Sequence, residues 1–215
     1  MDVQLLDPLE EEQRRAVLAA AKRRKFGRNE VVFHDGDPGD TLHIVAKGYF
    51  AIRITTPLGD VATLRVVGPG EHFGELAVLS PGPRSGSVVA LAPAETLSLH
   101  RDDFARLEQS IPSLGAVLTG ALVAEVRRLA AALVDALYVP AERRVWRRLH
   151  ELAALFGGEA PIVIPVTQDD LAQLAGTTRP TANRTLRAGE EDGVVALARG
   201  RIEVRDLARL DRLAR

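Results

Sequence analysis

From Glu30 onward the chain alternates short apolar runs with glycine and proline. The runs are Val31-Val32-Phe33, Leu42-His43-Ile44-Val45, Tyr49 to Ile54, Ala62 to Val67, Ser87 to Leu91 and Glu95 to Leu99. Each is short and rich in β-branched or aromatic residues, so each predicts a strand. Many closely spaced strands with turn signals predict a sandwich or barrel. Gly36, Gly39, Gly48, Gly59, Gly68 and Gly70 fall between the runs, where turns are expected. The preceding stretch, residues 9–25, is charged and alanine-rich with apolar Leu9, Ala16, Val17 and Ala20, and predicts a short amphipathic helix.

After Pro112 the period changes. Residues 113–137 contain no proline and are rich in Ala and Leu, which predicts one long helix. Leu122, Val126, Leu129, Leu133 and Ala136 recur at spacings of four and three, a heptad seam. Such a helix either packs on its own domain or finds a second copy. A helix this long leaving a small β-domain exposes its seam, so a homodimer through Leu122, Val126, Leu129 and Leu133 is expected. Pro140 breaks the pattern. A further helix is expected from Ala141 to Phe156, ended by Gly157-Gly158, with Val145, Leu149, Leu152 and Leu155 buried, Trp146 flanking them, and Arg143, Arg144, Arg147 and Arg148 on a solvated face. The expected domains are residues 1–112, a connecting helix 113–138, and 139–215.

Residues 167–187 carry a denser signal. Thr167 is a good helix N-cap, and Asp170 three residues on makes a capping box with a shorter acid. Leu171, Leu174 and Ala175 give that helix its apolar face. Gly176 suits a tight turn, Thr178 caps a second helix, and Pro180 falls in its first turn, where no backbone donor is lost. This is the spacing of a helix-turn-helix, whose second helix enters the major groove of DNA. Arg179, Thr181, Asn183 and Arg184 occupy its exposed start; Arg can pair bidentately with guanine and Asn with adenine. An ordinary helical hairpin is the plainer alternative. The following Gly193 to Ala198, Arg199-Gly200, and Arg201 to Val204 read as a β-hairpin, which turns the motif into a winged helix. Arg199 and Arg201 at its tip are candidate phosphate contacts, and Thr167 joins the candidate DNA-facing set.

Composition narrows the chemistry. Of 215 residues, 46% are hydrophobic and 27% charged, a globular balance. There is no cysteine, which removes disulfides, thiolate catalysis and cysteine-ligated metal. His34, His43, His72, His100 and His150 show no metal-ligand spacing, so no metal is expected. No nucleophile–base pair or Walker motif is legible, so an enzyme is not expected. No apolar run reaches the ~18 residues of a membrane span, and the N-terminus Met1-Asp2-Val3-Gln4-Leu5 lacks signal-peptide regions, so a cytoplasmic location without membrane attachment is expected. Net charge is −1, but residues 139–215 hold thirteen basic and eleven acidic side chains, a slight positive bias where the helix-turn-helix lies.

The most specific stretch is Gly70 to Ala90, with Phe73-Gly74-Glu75-Leu76-Ala77-Val78-Leu79 followed by Arg84-Ser85-Gly86-Ser87-Val88. Gly74 permits close backbone approach to a ligand, successive N–H groups there can make an anion-binding concavity, and Arg84 offers a planar fork to phosphate oxygens. The stretch resembles the phosphate-binding cassette of the cyclic-AMP receptor protein/Fnr family of bacterial transcription regulators. Phe33-His34-Asp35-Gly36 through Lys47-Gly48 is similar to that fold's first half. The resemblance covers nearly the whole chain in family order. It implies an α+β protein: an N-terminal cyclic-nucleotide-binding β-roll (jelly roll), a long dimerisation helix and a C-terminal winged helix-turn-helix. It implies a ligand site at Gly74, Glu75, Leu76, Arg84 and Ser85, with Glu75 accepting from the ribose, and an effector, cyclic AMP by default or another cyclic nucleotide. It also implies double-stranded DNA bearing an inverted repeat, and RNA polymerase, as partners. Two departures stand out. The family's adenine-binding Thr-Ser pair falls at about Leu129 and Ala130, which cannot hydrogen-bond through their side chains. The family's cytosine-reading glutamate is replaced by Pro180. The alternative is a DNA-binding protein that works without ligand, its roll a structural or interaction module in which Arg84 and Glu75 pair with each other.

Overall fold

The computed structural model describes residues 3–56 and 59–215. Met1 and Asp2, which open the N-terminal stretch considered above, lie outside them. Contacts divide the chain into two units, residues 1–54 with 67–129, and residues 55–66 with 130–215.

In chain order the elements up to the long helix are α1 (Glu11–Ala20), β1 (Lys22–Phe26), β2 (Val31–Phe33), β3 (Pro38–Gly39), β4 (Thr41–Lys47), β5 (Phe50–Thr55), β6 (Val61–Val67), β7 (His72–Phe73), α2 (Leu76–Leu79), β8 (Gly82–Pro83), β9 (Ser87–Ala90), β10 (Ala94–His100), α3 (Arg101–Ser110) and α4 (Ser113–Tyr138). One sheet runs β1-β10-β4-β7, a second β2-β9-β5-β6, and β3 pairs with β8 alone. All six strands expected from the sequence form. Alternation along β4 and β10 explains the layering, since successive side chains face opposite sides of a strand. Leu42, Ile44, Leu97 and Leu99 join Val17 of α1, Phe104 of α3 and Leu114, Val117 and Leu118 of α4 in one apolar cluster. Val45 joins Phe26, Phe50, Phe73, Val88 and Ala90 in another, inside the roll.

The helix expected over residues 9–25 is shorter than its sequence suggests. It stops at Ala20, and Lys22–Phe26 pairs antiparallel with β10 along its whole length. Lysine and arginine are good helix formers. Pairing overrides that preference: Arg23 reaches Glu95 at 2.6 Å, and Phe26 is buried.

α4 is 26 residues long, about 39 Å at 1.5 Å per residue. Only its first turns bury apolar residues. Beyond them Val126 is 66% exposed, Leu133 60% and Leu137 66%, with Val123, Leu129, Val134 and Tyr138 also exposed.

The second unit continues with α5 (Ala141–Phe156), β11 (Ile162–Ile164), α6 (Gln168–Leu174), α7 (Arg179–Glu191), β12 (Val195–Ala198), β13 (Arg201–Val204) and α8 (Leu207–Ala214). The expected hairpin forms in register Ala198↔Arg201, and β11 adds a third strand on the far side of β13. α5 buries Val145, Trp146, Leu149 and Leu152. Gly189 of α7 is required by that packing, because a Cβ there would lie 2.3 Å from the Trp146 ring. The arginines of α5 are not a solvated face. Arg144 donates to Val139 O, Ala175 O and Gly176 O at 2.7–2.8 Å, satisfying carbonyls that the ends of α4 and α6 leave without partners. Arg147 binds Asp135 at 2.6 Å and Ala214 O, and Arg148 holds both Asp135 and Glu151; Arg143 alone of the four is exposed.

Candidate functional site: a cassette in the roll and a helix-turn-helix

The cassette is assembled from three separate segments. β3 and β8 pair Gly39 with Gly82 and Pro38 with Pro83, which brings the 36–40 turn beside the segment that ends in Arg84. Arg84 is pinned through its own backbone: its N–H donates to Asp37 O at 2.8 Å and its carbonyl accepts from Gly36 N at 2.9 Å. Its guanidinium lies over the Phe33 ring at 3.9 Å, a cation–π arrangement. Nη1 donates to Thr41 O at 2.7 Å and Gly74 O at 3.3 Å, and Nη2 donates to Thr41 Oγ1 at 2.7 Å. Arg84 is 6% exposed, and Asp40 lies at the edge of salt-bridge distance from it, 3.9 Å. Burial lowers its pKa from the usual arginine value, and Asp40 opposes the shift.

Gly74 lies directly against this group. Its φ is +81°, and a Cβ there would lie 2.7 Å from Arg84 Nη1 and 2.9 Å from Thr41 O. Both the left-handed backbone and the close approach call for glycine. Glu75 precedes the four-residue α2 and is half-buried; Leu76 and Ser85 are exposed. Arg101, at the start of α3, clamps the cassette from behind by donating to Ala77 O and Gly39 O. The structure therefore brings Gly74 and Arg84, two of the expected ligand residues, into contact. It adds Phe33, Thr41 and Arg101, which sequence reasoning missed because their relation to Arg84 spans up to 51 residues with no local pattern.

His43 stands beside them. It is 3% exposed, stacks on Phe73 at 5.0 Å, and its ring nitrogens lie 3.1–3.2 Å from the hydroxyls of Thr96 and Thr41. Burial, aided by the nearby cations of Arg84 and Arg24, pushes its pKa down to about 3, so the ring is neutral at physiological pH. A cleft of about 760 Å³ is lined by Phe33, Thr41, His43, Arg84, Ser98 and His100 among others.

The second surface is in the other unit. The Thr167 hydroxyl accepts from Asp170 N at 3.0 Å, while Asp170 Oδ2 accepts from Thr167 N at 2.8 Å, closing the expected capping box. Thr178 caps α7 by accepting from Thr181 N. Arg179, Arg199 and Arg201 are exposed, and their side chains make no hydrogen bond or ion pair among the described residues. Arg184 is exposed and meets Glu142 at 3.1 Å. Asn183 donates to Gln168 at 2.7 Å, and Thr181 shares a hydroxyl contact with Thr178. Gly200 turns the wing tip with φ +72°.

A β-roll carrying this cassette, followed by a long helix and a winged helix, defines a ligand-binding-domain type of DNA-binding protein. Residues 23–110 match the family described as Cyclic nucleotide-binding domain, and residues 143–213 the Crp-like helix-turn-helix domain. The chain is 35% identical over 197 residues to the cyclic AMP receptor protein of Thermus thermophilus, covering 92% of this chain and 90% of that protein. It is 32% identical over 194 residues to the CRP-like cAMP-activated global transcriptional regulator of Mycobacterium tuberculosis, covering 88% and 87%. The solved structure of the Thermus thermophilus catabolite activator protein matches with a TM-score of 0.58 at 35% identity, covering 98% of this chain and 97% of that one. The c-di-GMP-responsive global regulator of Xanthomonas campestris shares the fold, with a TM-score of 0.75 at 22% identity, covering 92% and 100%.

The chain belongs to the CRP/FNR family of transcription regulators. It is a DNA-binding regulator with a cyclic-nucleotide-binding domain, and its relatives and domains are those of regulators rather than enzymes. Among the described residues no helix is long and apolar enough to cross a membrane, and no cluster of His, Asp or Glu is placed to hold a metal ion.

Proposed function

We propose that the chain acts in the cytoplasm as a homodimeric regulator whose affinity for an inverted-repeat DNA site is raised by a cyclic nucleotide, with cyclic AMP the leading candidate. The observation that carries the effector is the Gly74–Arg84 contact: a buried arginine fork set against a glycine backbone, with Glu75 and Ser85 beside it. Cyclic AMP is favoured because the relatives at 35% and 32% identity are named for it. Leu129 and Ala130 offer the base no side-chain hydrogen bond, so discrimination between cyclic AMP and cyclic GMP is expected to be weak. The exposed apolar length of α4 supports dimerisation, because a second copy of the seam buries what is otherwise a long apolar stripe in water. DNA readout is assigned to Arg179, Thr181, Asn183 and Arg184, with Arg199 and Arg201 on phosphates, and RNA polymerase is the further partner of the assembled complex.

Calorimetry with both nucleotides on wild type and Arg84→Ala tests the effector. Loss of a charge-assisted pair is worth about 1.5–3 kcal/mol, so affinity is expected to fall roughly ten- to a hundred-fold. No heat from wild type with either nucleotide overturns the effector and leaves the ligand-independent regulator. Selection from random DNA tests the reader: Arg184→Ala is expected to relax one base pair per half-site, at about 1–3 kcal/mol.

A further inference from the structure

We propose that Thr41 is the positioning residue for the phosphate-binding arginine: it grips the outer end of the Arg84 guanidinium and thereby reserves the Nε side of the fork for the anion. The inference rests on the reading of Arg84 as the nucleotide's phosphate contact.

A guanidinium carries five N–H donors, one on Nε and two on each terminal nitrogen. Both donors of Nη1 are used, on Thr41 O at 2.7 Å and Gly74 O at 3.3 Å. One donor of Nη2 goes to Thr41 Oγ1 at 2.7 Å. Thr41 therefore takes one bond from each terminal nitrogen, one through its carbonyl and one through its hydroxyl, and faces the end of the fork. Two donors remain, Nε–H and the other Nη2–H. They share one edge, because Nη2 is the terminal nitrogen on the Nε–H side of the group. That edge is one of those with which arginine binds phosphate or carboxylate through two parallel bonds.

The arginine's own burial supplies a second observation. The Arg84 side chain is only 4% exposed, and its Nε is buried without a hydrogen-bond partner. Buried donors are seldom left unmatched, because the desolvation they suffer is then not repaid. An arriving phosphate oxygen supplies the missing acceptor. Asp40 does not: it is 3.9 Å from Nη2, is itself 59% exposed, and lies closer to His100, at 3.5 Å. Each degree of freedom of the fork is accounted for. The backbone bonds to Gly36 and Asp37 fix the root, the Phe33 ring fixes the plane, and Thr41 fixes the rotation within that plane. Of these holds, only the Nη2 bond depends on one hydroxyl.

Thr41→Val keeps the shape of the side chain and removes that hydroxyl, while Thr41→Ser keeps the hydroxyl. On the full-length protein, calorimetry with cyclic AMP is expected to show Thr41→Val weakened by about three- to tenfold and Thr41→Ser within about twofold of wild type, a modest loss because the missing bond positions the fork and does not touch the ligand. In parallel, nitrogen-detected NMR of the arginine side chains, with Arg84 assigned through Arg84→Lys, reads the hold on the guanidinium directly. Slow rotation of the Arg84 terminal groups in wild type and Thr41→Ser, averaged in Thr41→Val, is the expected pattern. Unchanged rotation in Thr41→Val overturns the proposal. So does tighter nucleotide binding by Thr41→Val, which makes Thr41 a competitor of the ligand instead. If wild type binds no cyclic nucleotide but the rotational difference is present, the hold of Thr41 on Arg84 stands and the nucleotide reading of the site is what fails.

Discussion

The cassette and the reading head are built by opposite means. Arg84 takes its position from Gly36 and Asp37, Thr41 and Gly74, residues 10 to 48 positions away. The start of α7 takes its position from Thr178, three residues from the N–H it caps, and α6 from Thr167 and Asp170, also three apart. The cassette exists only when the roll has closed, because each of its contacts depends on loops being brought together first. The helix-turn-helix has its caps and turns written into the segment that uses them. A site made of long-range contacts shifts when any wall shifts, which suits a group that must respond to a ligand. A site made of local contacts keeps its shape, which suits a surface that must fit DNA whenever it is presented.

Gly74→Ala should break the cassette hardest. The residue sits at φ +81°, and the new Cβ meets a guanidinium nitrogen and a carbonyl oxygen, both under 3.0 Å away. Left-handed backbone costs an L-residue about 1–2 kcal/mol and overpacking about 1–3 kcal/mol, so a loss of roughly 2–4 kcal/mol in stability is expected, with nucleotide binding lost as Arg84 is displaced. Urea denaturation together with calorimetry checks both. A stable Gly74→Ala protein that still binds nucleotide contradicts the geometry.

The reading head also has a glycine required by close packing, in ordinary helical backbone. Gly189→Ala places a methyl 2.3 Å from the Trp146 ring, and overpacking of roughly 1–3 kcal/mol is expected. Here the damage stays local: DNA affinity and the Trp146 fluorescence should change, while nucleotide affinity should not. Trp146 is the chain's single tryptophan, so its emission reports this packing alone.

A third contrast is in pH. His43 has a folded pKa of about 3 against about 6.5 unfolded, so between these values the unfolded chain binds the extra proton. The stability that depends on a neutral His43 is fully present above about pH 6.5 and is lost as pH falls, at up to about 1.4 kcal/mol per pH unit. Urea midpoints should fall between pH 7 and pH 5 in wild type and much less in His43→Gln. Parallel curves would remove His43 as the cause.

These contrasts explain what could be read from the sequence. The six strands, the long helix, the capping box, the Thr178 cap and the wing all rest on periodicity, caps or turn residues within a short window, and all were legible. Arg84 and Gly74 were legible through the resemblance. What escaped depends on distant pairing. β1 looks helical because its Lys-Arg-Arg-Lys run has no strand period of its own, and only Glu95 and the rest of β10 make it a strand. The arginines of α5 look solvated because nothing in their spacing reveals Asp135 or the carbonyls of Ala175 and Gly176. Thr41 escaped for the same reason.

The smallest effect concerns Thr167, whose sequence position suggests both a cap and a DNA contact. A hydroxyl has one proton to donate. Here that proton lies on Asp170 Oδ2, 2.7 Å away, while the oxygen accepts from Asp170 N, and the Thr167 backbone N–H is also committed to Asp170. A phosphate oxygen needs a donor, so Thr167 can serve DNA only by turning that proton away from Asp170 Oδ2. Its contribution is then to hold the start of α6, which it shares with Asp170. Thr167→Ala should cost about 1 kcal/mol of stability, the usual value of a lost cap. Asp170→Ala removes the other half of the same box and should lower stability and DNA affinity by similar amounts, with Thr167→Ser close to wild type in both. Denaturation and fluorescence anisotropy on the three variants decide the matter. A DNA affinity that falls several-fold further in Thr167→Ala than in Asp170→Ala, at equal stability, would show that the hydroxyl turns its proton from Asp170 to a phosphate when DNA binds.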